Sequence, residues 1–341
     1  MLGNNSSTIL HRPGSDSNET KCAAFTVGLV EVYITIHFVT ILVSLVGNIL
    51  LIISYVRMKE TLMLPIANMA VSDLLTTLFL MPRLVRRELT GSNDFLIRGV
   101  TGTLLCKLCS FLSDISLSVS TQSLVLIAAE RFLAIACPIL YRKVMTVKRR
   151  YLFVGLTWII SMGIHSPYFY GFRLSTTNIC EMNWEPAFDH KSTQPRYVLF
   201  LFVTVLLLPL ITISVLYCIF GVKIRRDKVA SSRTERGALR HQERSRKLQR
   251  MGIATVTAFL ICWLLYIVIN VFKLLSSNTD HECSQGFKIV DNISRVLASC
   301  YSAVNPCICF IFVKSFSRQL FALCRWEGSL KGIIEIDVCR K

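Results

Sequence analysis

The chain has 341 residues, of which 52% are hydrophobic and only 17% charged, and its mean hydropathy is +0.52. Soluble proteins carry about a quarter charged residues, so this composition excludes a string of water-soluble domains and predicts a polytopic membrane protein. The net charge of +17 sits in basic loops between apolar runs, which suits anionic lipid headgroups and argues against nucleic acid as a partner.

Residues 1–24 are polar and lack the apolar core of a cleaved signal. They carry glycosylation sequons at Asn4, Asn5 and Asn18, which would place the N-terminus outside and make the first span an uncleaved anchor. That span runs from Glu31 to Val56 and holds Gly47-Asn48, and basic Arg57 and Lys59 follow it. The second, Leu62 to Leu84, holds Asn68, Ser72 and Asp73.

The third apolar stretch, Cys106 to Tyr141, has no Pro or Gly before Pro138. Arg131 lies 25 residues past Cys106. A helix would separate the two by roughly 37 Å, just more than a hydrocarbon core of about 30 Å. Its middle is apolar or hydroxylated, broken by the single acid Asp114, as expected of a buried central span.

The fourth span covers Tyr151 to Tyr170 with Trp158 and Pro167, and a loop with Cys180 and Trp184 follows. The fifth runs from Tyr197 to Val222 with Pro209 and Tyr217, and the linker from Lys223 to Arg250 is densely basic. The sixth continues to Leu275 with Phe259, Cys262 and Trp263, and the seventh covers Ile289 to Phe312 with Asn305-Pro306. Lys and Arg concentrate after spans one, three and five and in the C-terminal tail, which again predicts an outside N-terminus and an inside C-terminus.

Taken together, the motifs resemble rhodopsin-like (class A) G-protein-coupled receptors over roughly Glu31 to Cys324. Gly47-Asn48 resembles the helix-one GN, Asn68 to Asp73 the NLAxxD pattern, and Glu130-Arg131-Phe132 the DRY triplet. Trp158, Pro209 and Tyr217 fall where the family has them, Phe259-x-x-Cys262-Trp263 resembles FxxCW, and Asn305-Pro306 opens an NPxxY-like motif. The resemblance implies an all-α membrane protein: an extracellular tail (1–30), a seven-transmembrane helix bundle (31–312), and a short amphipathic eighth helix with a cytoplasmic tail (313–341). Phe316 and Cys324 match that eighth helix, with Cys324 either a palmitoylation site or a free thiol.

The resemblance also implies site residues. Cys106 and Cys180 would form a disulfide between the third span and the loop before the fifth, and Cys22 with Cys283 could form a second. Glu130, Arg131, Tyr217, Phe259, Trp263, Asn305 and Pro306 would serve G-protein coupling and switching. Asp73, Ser120 and Ser302 would hold a sodium ion, or else belong to a water-filled polar network; no other cofactor is implied. Tyr301 stands where many members have Asn, which weakens the ion site. Polar side chains in apolar spans are costly unless they face the bundle interior.

Three departures bear on mechanism. Leu265 replaces the helix-six Pro, so any bend must come from elsewhere, for example around Thr255 and Thr257. Cys309 replaces the Tyr of NPxxY. Ser245, between Arg244 and Arg246, stands where some members offer an acid, leaving Arg131 mainly the adjacent Glu130; the loss of a surface lock worth roughly 0–1 kcal/mol predicts modestly raised basal signalling.

Ligand class is read from what is missing and what is charged. Ser113 stands where amine receptors have Asp, and Ser299 where light receptors have the Schiff-base Lys. The remaining ligand-binding candidates are Arg83, Ser113, Asp114, Glu181, Tyr266, Asn270 and Arg295, with Trp184 as a lid. Arg83 and Asp114 either meet ligand or bridge each other, Asp291 and Arg295 are spaced to pair, and Arg86 and Arg87 are expected to snorkel to headgroups. A bowl with both signs suits an extracellular peptide, and the whole resembles neuropeptide receptors. A small carboxylate ligand held by Arg83 or Arg295, and a scavenger receptor with weak coupling, are the alternatives. No nucleophile–base or metal-ligand constellation points to an enzyme, and no inverted repeat points to a transporter.

Overall fold

The computed structural model describes residues 16–58, 61–90, 92, 94–95, 97–230, 236–275 and 285–312. Side chains are described from residue 29 on, except those of 62, 135, 220, 224–249, 274, 275 and 285. Asn4, Asn5, Phe316 and Cys324, and the side chains of Asn18, Cys22, Ser245 and Cys283, lie outside the described residues.

Among the described residues, seven helices are long and apolar enough to cross a membrane: Leu29–Met58, Leu64–Thr90, Gly99–Ala134, Val147–Gly171, His190–Lys223, Arg250–Lys273 and Gly286–Phe312, called spans one to seven below. Spans two and three are the interior pair, with 61% of their apolar window buried, against 22% for spans four and five. Span three is therefore central, and it shares that place with span two. Leu42, Ile159 and Ile261 are more than half exposed on the outer faces, as lipid-facing side chains must be.

Prolines shape three spans, each in its own way. Pro82 follows a π-helical turn at Thr76–Leu80, and Pro209 follows one at Phe202–Leu207. A helical Pro has no N–H and its ring meets the carbonyl four residues back, here Leu78 and Val205, and the widened turn makes room for it. Pro306 is accommodated inside an otherwise regular helix, Gln285–Phe312. The carbonyl that it strips of a donor, Ser302 O, accepts a hydrogen bond at 3.0 Å from Nδ2 of Asn48 on span one. Gly47 makes that reach feasible, since a Cβ there would stand 2.8 Å from the Pro306 ring. The Gly47-Asn48 pair thus repairs the backbone defect of Pro306. Span six contains neither bulge nor Pro, as Leu265 predicts, and belongs to one helix from Arg236 to Leu275. Thr255 on it donates to Met251 O at 3.0 Å, the back-bonding that bends helices.

Among the described residues, the loop before span five departs from an all-helical reading. Strands β1 (Phe172–Leu174) and β2 (Cys180–Met182) pair antiparallel, with Arg173 opposite Glu181. Asn178, at φ 60°, closes the turn in the left-handed region that Asn tolerates. Cys106 and Cys180 are disulfide-bonded, which fastens this hairpin to span three.

Candidate functional site

Two cavities occupy the disulfide end of the bundle and share Leu80, Leu84 and Arg295. The deeper, of about 340 Å³, runs from Arg295 down to Asp73 and is walled by Leu117, Phe202 and Ile267. The upper, of about 460 Å³, lies under Ile179 and Cys180 and is lined by Arg83, Arg86, Arg87 and Arg295.

The deeper cavity brings together five of the seven predicted ligand residues: Ser113, Asp114, Tyr266, Asn270 and Arg295. Their polar atoms are not equally available. Ser113 Oγ donates to Cys109 O at 2.6 Å and Asn270 Nδ2 to Tyr266 O at 2.7 Å, so both are turned to their own helices. Asp114 accepts a hydrogen bond from the Tyr168 hydroxyl at 2.5 Å. The expected alternative of an Arg83–Asp114 bridge does not form. Arg83 donates instead to Ser110 Oγ at 3.2 Å, with its guanidinium 5.7 Å from the centre of the Phe95 ring. Asp291 pairs with Arg295 at 2.8 Å, as the spacing predicts, and also with Lys273 at 2.9 Å.

The expectations for Arg86, Arg87 and Trp184 need correction. Arg86 and Arg87 do not simply snorkel: Arg86 pairs with Asp94 at 3.5 Å and Arg87 donates to Asn292 Oδ1 at 3.1 Å. Their placement at the end of span two puts protein acceptors, Asp94 and span seven, within reach. Glu181 lies exposed on β2 and is not among the residues lining either cavity. Trp184 is not a lid: it is 5% exposed, donates to Gln194 Oε1 at 2.6 Å and packs edge-on against Tyr197. Its indole is drawn to the start of span five because that is where apolar area and an acceptor coincide.

In the wall of the deeper cavity, Trp263 stacks on Phe259 with centroids 6.1 Å apart, and Phe259, behind the lining, meets Tyr301 edge-on at 5.2 Å. Phe259 is 1% exposed, so these rings form the link between cavity floor and bundle core.

A polar seam follows. Asp73 accepts from Ser120 Oγ and from Asn305 Nδ2, both at 2.8 Å. Ser302, the third residue expected to hold sodium, instead donates to Ser299 O at 3.1 Å. Asp73, Ser120, Ser302 and the orphaned buried Oδ1 of Asn305 nonetheless supply the hard oxygens that a small monovalent cation prefers, so the donor set fits one. Further along, Asn68 accepts from Trp158 Nε1 at 2.8 Å and donates to Ser123 Oγ at 2.9 Å and Thr157 Oγ1 at 3.2 Å, joining spans two, three and four.

The far end holds Glu130 and Arg131, both buried. Glu130 has a partner beyond its neighbour in the chain: Arg150 of span four pairs with it at 2.8 Å. The same guanidinium donates to Tyr141 Oη at 2.8 Å and Thr61 Oγ1 at 3.0 Å. The sequence places Arg150 in a run of basic loop residues, and nothing in that run marks it as buried. Tyr217 packs against span six at Gly252, where a Cβ would stand 1.8 Å from the Tyr217 hydroxyl. Cys309, in the place of a Tyr, is buried in the apolar cluster that Tyr217 packs against.

Known proteins show the same pattern. Residues 12–308 match the family model described as 7 transmembrane receptor (rhodopsin family). The chain is 24% identical to a QRFP-like peptide receptor of Branchiostoma floridae, over 95% of this chain and 90% of that protein. It is 28% identical to prokineticin receptor 2 of Rattus norvegicus, over 93% and 83%, and 25% identical to neuropeptide FF receptor 2 of the same species, over 86% and 73%. With seven spans, the seam of Asp73 and Asn305 and the matched family in agreement, the chain is a multi-pass plasma-membrane protein and belongs to the rhodopsin family of seven-transmembrane receptors.

Proposed function

We propose that this receptor binds an extracellular peptide and activates heterotrimeric G proteins. The observation that carries the peptide class is the pair of adjoining cavities with charges of both signs, Asp114 in one and Arg83 with Arg87 in the other. A peptide offers several separated charges and polar groups, whereas a small amine offers one, and no acid stands at position 113 to meet it. The names of the similar receptors, which refer to peptides, support the same class.

In this reading the N-terminus is extracellular and glycosylated at Asn4, Asn5 and Asn18, while the segments bearing Arg57, Arg142 to Arg149 and Lys223 to Arg250 meet acidic lipid and the G protein, Arg150 being buried against Glu130. Cys324 anchors the eighth helix as an acylated thiol. Asp73, Ser120 and Ser302 hold a sodium ion, which would supply a fixed positive charge to the buried carboxylate.

The ligand packs above Trp263 and shifts a pre-existing equilibrium by its differential affinity for two arrangements of span six. Because Trp263 stacks on Phe259 and Phe259 abuts Tyr301, a displaced indole must move side chains of spans six and seven together. That motion opens the cleft beside Arg131 and Tyr217.

A peptide-library screen on cells expressing the receptor, read by calcium and cAMP, tests this proposal. Activation by a peptide pool is expected. Leu265 and Cys309 favour the competing scavenger reading, and binding with internalisation but without nucleotide exchange on any G protein would establish it instead.

A further inference from the structure

The upper cavity is unbalanced in charge. Four arginines line it, against one lining carboxylate, Asp94. Asp94 is engaged with Arg86, and Asp291, outside the lining, serves both Arg295 and Lys273. Arg83 and Arg87 form no ion pair with any described residue; their partners are a hydroxyl, an aromatic face and a carboxamide oxygen. Glu88, next in the chain, forms no ion pair with a described residue, and Asp114 is held by Tyr168 in the other cavity. Both guanidiniums are half-buried within a membrane span, where a charge is costly unless it meets an opposite one or serves a function. They lie four residues apart, on one face of one helix.

We infer that the upper cavity is the subsite for an acidic group of the ligand, a carboxylate held between Arg83 and Arg87. The inference rests on the peptide-receptor reading. Guanidinium forks match a carboxylate through paired, charge-assisted hydrogen bonds. The shared wall of Leu80, Leu84 and Arg295 lets one ligand occupy both cavities, and their chemistry sets its direction. In the deeper cavity Asp114 stands among apolar walls and the guanidinium of Arg295 belongs to the wall shared with the upper cavity, so the lower part disfavours an anion and accepts apolar, neutral or basic groups. The acid therefore stays above while an uncharged or basic portion descends toward Trp263. The acid is either a free C-terminus or an Asp or Glu side chain.

A binding test needs no known agonist. Purified receptor is titrated with millimolar N-acetyl-phenylalanine or its neutral amide while thermal unfolding is followed. The acid is expected to raise the midpoint and the amide to leave it unchanged. Arg83→Gln/Arg87→Gln should abolish the difference, and Arg83→Lys/Arg87→Lys should keep part of it. The ligand-free midpoint of each variant reports its folding, and the single Arg87→Gln variant replaces a double that fails to fold. No shift with the acid, equal shifts for acid and amide, or a shift that survives in the Gln variant would overturn the subsite.

A second arm uses three peptide pools: free-acid, amidated with internal Asp or Glu, and amidated without acid. Potency should fall at least about tenfold when the acid is removed, and the same loss should follow Arg83→Gln/Arg87→Gln. The first two pools separate terminal from side-chain acids. Equal activation by the acid-free pool sinks the subsite and leaves the peptide reading standing. Arginine-dependent binding of N-acetyl-phenylalanine with no active pool does the reverse.

Discussion

At the disulfide end of the bundle, Arg83 and Arg87 border a cavity with only neutral partners among the described residues; at the Arg131 end, the buried Arg150 meets the buried Glu130 and the packing is closed. Arg83 rests on a hydroxyl and a ring, whereas Arg150 has a carboxylate, a phenol and a threonine hydroxyl around one guanidinium. The same residue type therefore plays two parts. In the closed region Arg150 of span four stitches span three, the turn Thr61–Met63 that leads into span two and the short helix Pro138–Val144, so removing it should damage the fold. In the open region Arg83 waits for an outside partner, so removing it should damage recognition.

The sharpest way to break this contrast is Arg150→Met. It leaves Glu130, which is 3% exposed, as a buried charge without its ion pair, and about 3–5 kcal/mol of stability should be lost. Thermal unfolding of purified receptor would show a large drop, and adding Glu130→Gln should recover part of it. If Arg150→Met unfolds no sooner than Arg83→Gln, the distinction between the two ends fails.

Next in size is Gly252→Ala. Its Cβ would overlap the Tyr217 hydroxyl at 1.8 Å, and overpacking of this kind costs about 1–3 kcal/mol. Pushing Tyr217 and span six apart should raise ligand-free nucleotide exchange, and Tyr217→Ala should relieve the thermal penalty.

Tyr168→Phe sharpens the account of the open end. It removes a hydrogen bond to Asp114 and should cost about 1–3 kcal/mol in the unliganded receptor. A ligand that itself donates to Asp114 would offset that loss, so its stabilising effect on the variant should exceed that on the wild type.

The smallest effect concerns pH. Asp189 caps the helix His190–Leu201 by accepting from Ser192 N at 2.9 Å, and this bonding to Ser192 holds its carboxyl below the ordinary value of 3.8. A carboxylate depressed by folding contributes fully above its unfolded value and loses that contribution as pH falls through the depressed one. The protection of the Ser192 amide, its exchange rate relative to the intrinsic rate at each pH, should therefore fall at acid pH in the wild type, while Asp189→Asn flattens the profile.

Much of this was legible in the sequence for identifiable reasons. The spans follow from apolar length. The polar residues Asn48, Asp73, Ser120 and Asn305 could only be interior, because lipid offers them no partner. The Asp291–Arg295 pair follows from helical spacing alone. Contacts that depend on the rotation of one span against another were not legible. Tyr168 and Asp114 are 54 residues apart, and Glu130 meets an arginine that reads as loop. The π-helical turns of spans two and five also went unread, although Pro82 and Pro209 were visible, because a Pro can be absorbed by a bulge, a kink or a side chain such as Asn48. Trp184 shows the converse: its type and loop position suggested a lid, and packing against Tyr197 decided otherwise.

The central claim is that occupancy of the open end releases the closed one. Receptor reconstituted in lipid nanodiscs with purified heterotrimeric G protein allows this to be measured as nucleotide exchange, with and without an activating peptide pool. The account predicts peptide-dependent acceleration that Arg83→Gln/Arg87→Gln weakens through potency and Arg131→Ala abolishes at any peptide concentration. Saturable peptide binding with exchange unchanged across all G-protein subtypes would contradict it.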